Sequence, residues 1–347
     1  MDFHIEKESL SIEGAPMGQV KTPPIRETIR TQCLPELKLI QTGDKQFDSP
    51  SVPMELAIRK NIALKNFTTY KVGGPAMYFA EAHNGEEIFH LREFAKAKKV
   101  PFLIMGLGSN ILFEDSGYPG LVVFNRMMRT HFQGPMVTVE GGVPLSQFIN
   151  TAARLNLGGM EQLIGIPATV GGAIYGNAGV PGFEVSDLLM HALVLPADSH
   201  QPVIVQPDYF HFRYRHSHLK EIKDILLGAT FRLEPKPRAQ IQRDITSILK
   251  SRLLKQPAGP SCGSFFKNPG QFPSAGWLID QAGCKGLKVG GATISEKHAN
   301  WILNAQDATA GDIISLAQKV YEKVFQKFNI LLEPEVQILP NNPFKTN

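Results

Sequence analysis

Gly165-Ile166-Pro167-Ala168-Thr169-Val170-Gly171-Gly172-Ala173-Ile174-Tyr175-Gly176-Asn177-Ala178-Gly179 is the stretch on which the fold turns. Six of its fifteen positions are glycine or proline, none is charged, and most of the rest are small. Such a loop loses much chain entropy on ordering and has few side chains to offset it. A large flat or extended ligand lying along the backbone accounts for it. A second glycine loop, Met105-Gly106-Leu107-Gly108-Ser109-Asn110, follows directly on the strand-like run 101–105. Its closely spaced N–H groups and small polar side chains suit a diphosphate, on which a Cβ at Gly108 is expected to intrude. It lacks the third glycine of a Rossmann fingerprint, and no Gly-Lys-Ser/Thr follows, which excludes a P-loop. Alone it reads equally as a tight turn. Two such loops in one unit favour a bound dinucleotide.

Outward from these loops, segments 77–82, 101–105, 120–124 and 136–140 read as short strands bounded by Gly, Pro or Asn. A helical pattern runs from Glu86 to Lys99 on Ile88, Leu91, Phe94 and Ala95. Another runs from Pro144 to Leu155 on Leu145, Phe148, Ile149, Ala152 and Ala153. Strand-like runs return at 190–195, 202–206 and 225–233, and helices are expected over 238–254, 274–282 and 310–328. The fold class is therefore α+β. Residues 55–235 form one unit of two lobes split near 120, and 236–340 form a second. A terminal strand is expected near 336–339. Residues 1–54 carry six prolines, eight acidic and six basic residues and little apolar periodicity, and are expected as a disordered or loosely docked extension.

The whole chain has 347 residues, 43% of them apolar, with 36 basic and 32 acidic residues giving a formal charge of +4. That charge is small and spread, so no nucleic-acid partner is expected. No apolar run is long enough to span a membrane, and the N-terminus lacks the apolar core of a secretory signal. Cys33, Cys262 and Cys284 are odd in number and have no metal-ligand spacing. No metal and no disulfide framework are expected, and a reducing cytoplasmic setting fits.

Several segments carry reactive side chains. Tyr214-Arg215-x-Ser217 sets an arginine among aromatics, either as an anion partner or in a structural salt bridge. Cys262-Gly263-Ser264-Phe265-Phe266-Lys267-Asn268-Pro269 offers three donors within a few residues, or a plain turn before a strand. No Gly-x-Ser-x-Gly elbow is present, and no histidine stands where it would activate Cys262. Gly283-Cys284-Lys285-Gly286 is a further glycine turn, and Ser295-Glu296-Lys297-His298 is a polar cluster. Leu332-Glu333-Pro334-Glu335-Val336 places two acids before the final strand, either solvated or with Glu335 turned inward.

Taken together, 66–76, Gly106–Asn110, Gly165–Gly179, Tyr214-Arg215-x-Ser217, Gly263–Pro269, Gly283–Gly286 and Leu332–Val336 resemble, in order, the bacterial UDP-N-acetylenolpyruvoylglucosamine reductases. The resemblance covers residues 57–339 and the shorter subtype, which lacks a substrate-covering insertion. It implies a two-lobed FAD-binding domain of the vanillyl-alcohol-oxidase type and a C-terminal α+β substrate domain whose last strand returns toward the active site. The implied reaction reduces the enolpyruvyl ether of a UDP-sugar with NADPH, by hydride from flavin N5, in peptidoglycan synthesis. Gly106, Gly108, Ser109, Asn110, Gly165, Ile166, Thr169, Gly171, Gly172 and Gly179 would hold FAD. Ser264 would donate the proton, with Arg215 and Glu335 as its catalytic companions. Tyr214, Lys255, Asn268, Lys285 and His298 would bind substrate. The resemblance further implies a cytoplasmic monomer. Departures fall around Asn177, where Gly176 stands for the usual Met before it and Ala178-Gly179-Val180-Pro181-Gly182 for the usual Ala-Tyr-Gly after it, and at His298, a Gln in some members. Another FAD oxidoreductase of the same fold, or a non-catalytic flavin or sugar-nucleotide binder, is the alternative.

Overall fold

The computed structural model describes residues 56–344; the expected extension 1–54 lies outside them. The first sheet has the order Arg59–Ala63, Pro75–Ala82, Tyr118–Asn125, Phe102–Met105. The first pair is antiparallel and the other two are parallel. Strand Tyr118–Asn125 is buried on both faces. Leu121 and Val123 enter a cluster with helix Gly85–Lys98, while Val122 and Phe124 point into a second cluster with Phe79 and Phe113. This is the period-2 alternation of a central strand. The first lobe therefore extends through Asn125, past the expected division near 120. Helix Gly85–Lys98 starts at Asn84, whose side chain accepts from the Glu87 N–H at 2.9 Å, and stops at Lys99 in a left-handed conformation.

The second sheet is antiparallel throughout, in the order Val203–Val205, Leu189–Leu195, Ile225–Arg232, Met136–Glu140, Thr130–Gln133. One face joins the helix Gly85–Lys98 cluster through Leu193, Leu195, Ile225 and Leu227. The other packs on helices Leu145–Arg154, Val170–Gly176 and Arg238–Lys255. Ile241 and Ile245 of the last helix are buried in that cluster, so 238–255 packs with the second lobe rather than with the C-terminal unit expected from 236. In the C-terminal unit, helices Ala275–Gln281 and Ala310–Phe328 pack on the antiparallel strands Lys288–Val289, Ala292–Ile294 and Ile302–Asn304. Thr309 and Asp312 form a reciprocal capping box at the start of the long helix.

Two features bring distant chain together. Strand Gln337–Leu339 lies parallel on Ile111–Phe113, directly after the first glycine loop. And the second glycine stretch is not all loop. Val170–Gly176 is a short helix, capped by Thr169 and ended by left-handed Asn177. Val170, Ala173 and Ile174, spaced i, i+3, i+4, are fully buried. The glycines between them mask a helical stripe.

Candidate active site

A cleft of about 1160 Å³ lies where the two lobes and the C-terminal unit meet. It exceeds the roughly 300–1,000 Å³ usual for one drug-sized ligand, leaving room for a cofactor and a second molecule. All ten loop residues expected to hold the cofactor line it, as do Tyr214, Arg215, Ser264, Asn268 and Glu335.

The glycine loops meet each other there. A Cβ on Gly106 would lie 2.4 Å from the Thr169 hydroxyl, and one on Gly171 would lie 2.9 Å from the Gly141 carbonyl. Gly108 has φ +61°, and its Cβ would fall 2.3 Å from the Phe67 carbonyl. Glycine at 106, 108 and 171 is thus required by contacts of the protein with itself. For Gly108 this adds a clash with the protein's own backbone to the diphosphate contact expected there. Gly172 and Gly176 differ. An added Cβ at Gly172 meets only the Thr169 hydroxyl at 3.4 Å, and at Gly176 nothing within 4 Å, yet both line the cleft. A helical glycine costs about 0.5–1 kcal/mol relative to alanine. With no internal packing to require it, the open strip along 172–176 is a bed for a large flat group. That is the fit a dinucleotide such as FAD demands.

Polar side chains line the same cleft. Segment 264–267 is sandwiched between two strips of backbone. Phe265 donates to the Asn300 carbonyl at 2.8 Å, while Glu335 donates to the Phe265 carbonyl and Lys267 to the Glu333 carbonyl, both at 2.8 Å. The Asn300 side chain adds bonds to both backbone groups of Phe266. Ser264 and Glu335 are thereby fixed on neighbouring strips. Asn110, expected at the cofactor, donates its side-chain amide to the Glu335 carbonyl at 3.0 Å, and its own carbonyl accepts from Gln337. It ties the first glycine loop to the acid.

Tyr214 and Arg215 form the two-residue tip of a hairpin closed by reciprocal backbone bonds between Arg213 and His216 at 3.1 and 3.0 Å. Arg215 sits at φ 53°, and its guanidinium pairs with Glu335 at 3.0 Å and donates to the Gly179 carbonyl at 2.9 Å. Burial raises the Glu335 carboxyl above its ordinary range, opposed by Arg215, Lys220 and Lys267. Lys220, which sequence reasoning missed, lines the same cleft; burial pulls its ammonium down to about 8. Tyr175 and Gln337 were missed as well, and they meet at 3.4 Å. Their signal was only adjacency to motifs already noted. Cys262 lines the cleft, but burial pushes its thiol up to about 12, which leaves it protonated and a poor nucleophile.

Three expected residues stand apart. Lys255 is exposed at the end of its helix, Lys285 pairs with Asp280 at 2.7 Å, and His298 packs beside Trp301 with ring centroids 6.2 Å apart. None of the three lines the cleft. Among the described residues no cluster of His, Cys, Asp or Glu suits a metal, and no helix is long and apolar enough to cross a membrane.

A two-lobed unit with glycine loops along a cleft, closed by a C-terminal α+β unit, is the architecture of a flavin-binding oxidoreductase. Residues 76–200 match the FAD binding domain family, and residues 255–339 match the UDP-N-acetylenolpyruvoylglucosamine reductase C-terminal domain. The reductase of Synechococcus sp. (strain JA-3-3Ab) is 42% identical over 286 residues, covering 81% of this chain and 91% of that protein. That of Acaryochloris marina (strain MBIC 11017) is 40% identical over 293 residues, covering 82% and 94%. The crystal structure of the Thermus caldophilus reductase superposes with a TM-score of 0.71 at 34% identity, covering 82% of this chain and 100% of that one. The chain belongs to the UDP-N-acetylenolpyruvoylglucosamine reductase family.

Proposed function

We propose that the protein reduces UDP-N-acetylenolpyruvoylglucosamine to UDP-N-acetylmuramate, with NADPH as reductant and FAD as cofactor, in peptidoglycan synthesis. One observation carries the residue assignments: Ser264, Arg215 and Glu335, far apart in sequence, line the same cleft as the glycine loops, with Arg215 paired to Glu335. Gly106–Asn110, Gly165–Thr169 and Gly171–Gly179 would hold FAD, which when bound would supply the hydride, drawn from NADPH, for the terminal carbon of the enolpyruvyl double bond. Negative charge then builds on the substrate's carboxylate. Arg215 faces that charge with a fixed guanidinium, so little reorganisation is needed as it develops. Ser264 gives its hydroxyl proton to the adjacent carbon, which completes the saturated lactyl ether. Glu335 orients Arg215 through their ion pair, and burial, by raising its carboxyl above the ordinary range, favours the neutral form that would hydrogen-bond the substrate's carboxylate.

Tyr214 and Asn268 are assigned to the substrate beside these groups; the Asn268 N–H lies 3.4 Å from the Tyr214 hydroxyl. Lys255, Lys285 and His298 are assigned to the substrate's nucleotide end on the motif match alone. We further propose a monomer acting in the cytoplasm, and no nucleic-acid partner, the last supported by a formal charge of only +4.

Ser264→Ala tests the reading. Flavin reduction by NADPH needs no proton from Ser264 and stays fast. Re-oxidation by the enolpyruvyl substrate slows by about 10²–10⁴-fold, the usual cost of losing a positioned acid, or roughly 3–5 kcal/mol. Stopped-flow absorbance follows each half-reaction separately. Unchanged re-oxidation removes Ser264 from the mechanism.

A further inference from the structure

Arg215 adopts a left-handed backbone, φ 53°, which favours glycine and not arginine. Something must hold it there. Its guanidinium is tied to Glu335 and Gly179, and its carbonyl accepts from the Lys220 ammonium at 2.8 Å. Lys220 is itself well placed to act as a peg. Leu219 beside it is buried in the second-lobe core, and the Ser217 hydroxyl donates to the Tyr175 carbonyl at 2.8 Å. The Lys220 ammonium lies 5.6 Å from the centre of the Tyr175 ring. Only one of its three N–H bonds is used by a protein acceptor among the described residues, and the side chain lines the cleft.

We propose that Lys220 is a positioning residue for the substrate half of the reaction: by gripping the Arg215 carbonyl it holds the Tyr214–Arg215 tip so that the guanidinium meets the substrate's carboxylate. The inference rests on the function proposed above and goes beyond it, because no motif named this lysine. The charged groups that face Lys220 are Arg215 on the hairpin, Lys267 on segment 264–267, and Glu333 and Glu335 on the strip before the last strand. Of its aromatic neighbours, Tyr175 has its phenol raised by burial and stays neutral. Burial is the largest influence on Lys220 and brings its loss of charge to about 8. The grip therefore weakens as pH rises through that value, while more acidic solutions leave it intact.

The test uses the flavin-loaded full chain and two variants, Lys220→Met and Lys220→Arg. In Lys220→Met, re-oxidation by the enolpyruvyl substrate falls by about 10²-fold, the usual effect of a reacting group misplaced by an ångström. Reduction by NADPH falls far less. Calorimetry on the oxidised protein shows weaker binding of UDP-N-acetylenolpyruvoylglucosamine and unchanged binding of UDP-N-acetylglucosamine, which lacks the carboxylate. Lys220→Arg restores most of the re-oxidation rate. It also removes the wild-type decline near pH 8, since arginine keeps its proton to about pH 12. Wild-type re-oxidation in Lys220→Met overturns the proposal, as does an equal loss in both half-reactions and for both ligands, the mark of a merely structural lysine. If Lys220→Met fails to retain flavin, Lys220→Arg decides alone: a decline that stays near pH 8 overturns the proposal. Should reduced wild-type flavin not be re-oxidised by this substrate at all, the functional reading itself fails, and that is seen before any variant is compared.

Discussion

A Cβ built on Gly106 falls 2.4 Å from the Thr169 hydroxyl, whereas one built on Gly176 meets nothing within 4 Å. The two glycines line the same cleft for different reasons, and the difference is measurable. Gly106→Ala forces the two glycine loops apart and destabilises the protein with or without cofactor. Gly176→Ala removes a flexible residue from a short helix, so the flavin-free protein gains about 0.5–1 kcal/mol in denaturant unfolding. The same methyl projects into the bed, so flavin is held more weakly. Melting curves of the flavin-free forms, together with flavin titration, check both variants. Gly176→Ala with full flavin affinity would sink the assignment of that bed. At this scale the sequence said that glycines mattered at both places. It gave no means of telling a glycine that admits a ligand from one that admits a neighbouring carbonyl, because that depends on chain far away in sequence.

Most elements were legible because their signals are local. The apolar stripe of Ile313, Ala317, Val320 and Val324 locates helix Ala310–Phe328, and the unbroken apolar run Leu121 to Phe124, bounded by Gly120 and Asn125, locates a central strand. Helix Val170–Gly176 escaped because glycine dilutes its stripe to three buried residues. The pairing of Gln337–Leu339 on Ile111–Phe113 escaped because register between distant strands leaves no local trace. Likewise, Arg238–Lys255 was found as a helix, but nothing in its stripe says which lobe receives Ile241 and Ile245. At the site, Ser264, Arg215 and Glu335 were legible through their motifs, whereas Lys220 acts only through the turn that brings it back to Arg215. One long-range contact between elements yields a prediction. The Asp115 carboxylate accepts from the Ala310 and Gly311 N–H groups, both at 2.9 Å, and so caps helix Ala310–Phe328 from the first lobe. Asp115→Ala leaves those donors without their partner and loosens the start of the long helix from the turn after strand Ile111–Phe113. Unfolding free energy falls by about 0.5–2 kcal/mol, the range for a lost helix cap. Denaturant titration monitored by circular dichroism checks it, and a change below the measurement error would show that the cap is redundant.

At the scale of the molecule, the cleft is built from three units and from chain that begins late. Among the described residues its lining runs from Thr69 to Gln337. The first described strand, Arg59–Ala63, pairs with Pro75–Ala82 at the sheet's edge and completes the lobe on that side. Each face of the first sheet is covered by residues of the described chain, from Leu56 and Ile58 on one face to Leu339 on the other. Nothing in this arrangement calls for residues 1–54, whose prolines and mixed charges are poor material for a core. Deleting them while keeping Leu56 and all that follows should therefore leave bound flavin, melting temperature and both half-reactions within about twofold of the full chain. The deletion must end before Leu56, because Leu56 and Ile58 pack against the cluster that seats helix Gly85–Lys98. A second truncation that also removes 55–63 strips the edge strand and those two contacts, and it should lower the melting temperature where the first does not. Comparing the two separates a dispensable extension from a needed strand. Loss of flavin in the shorter deletion would mean that the extension completes the cofactor site.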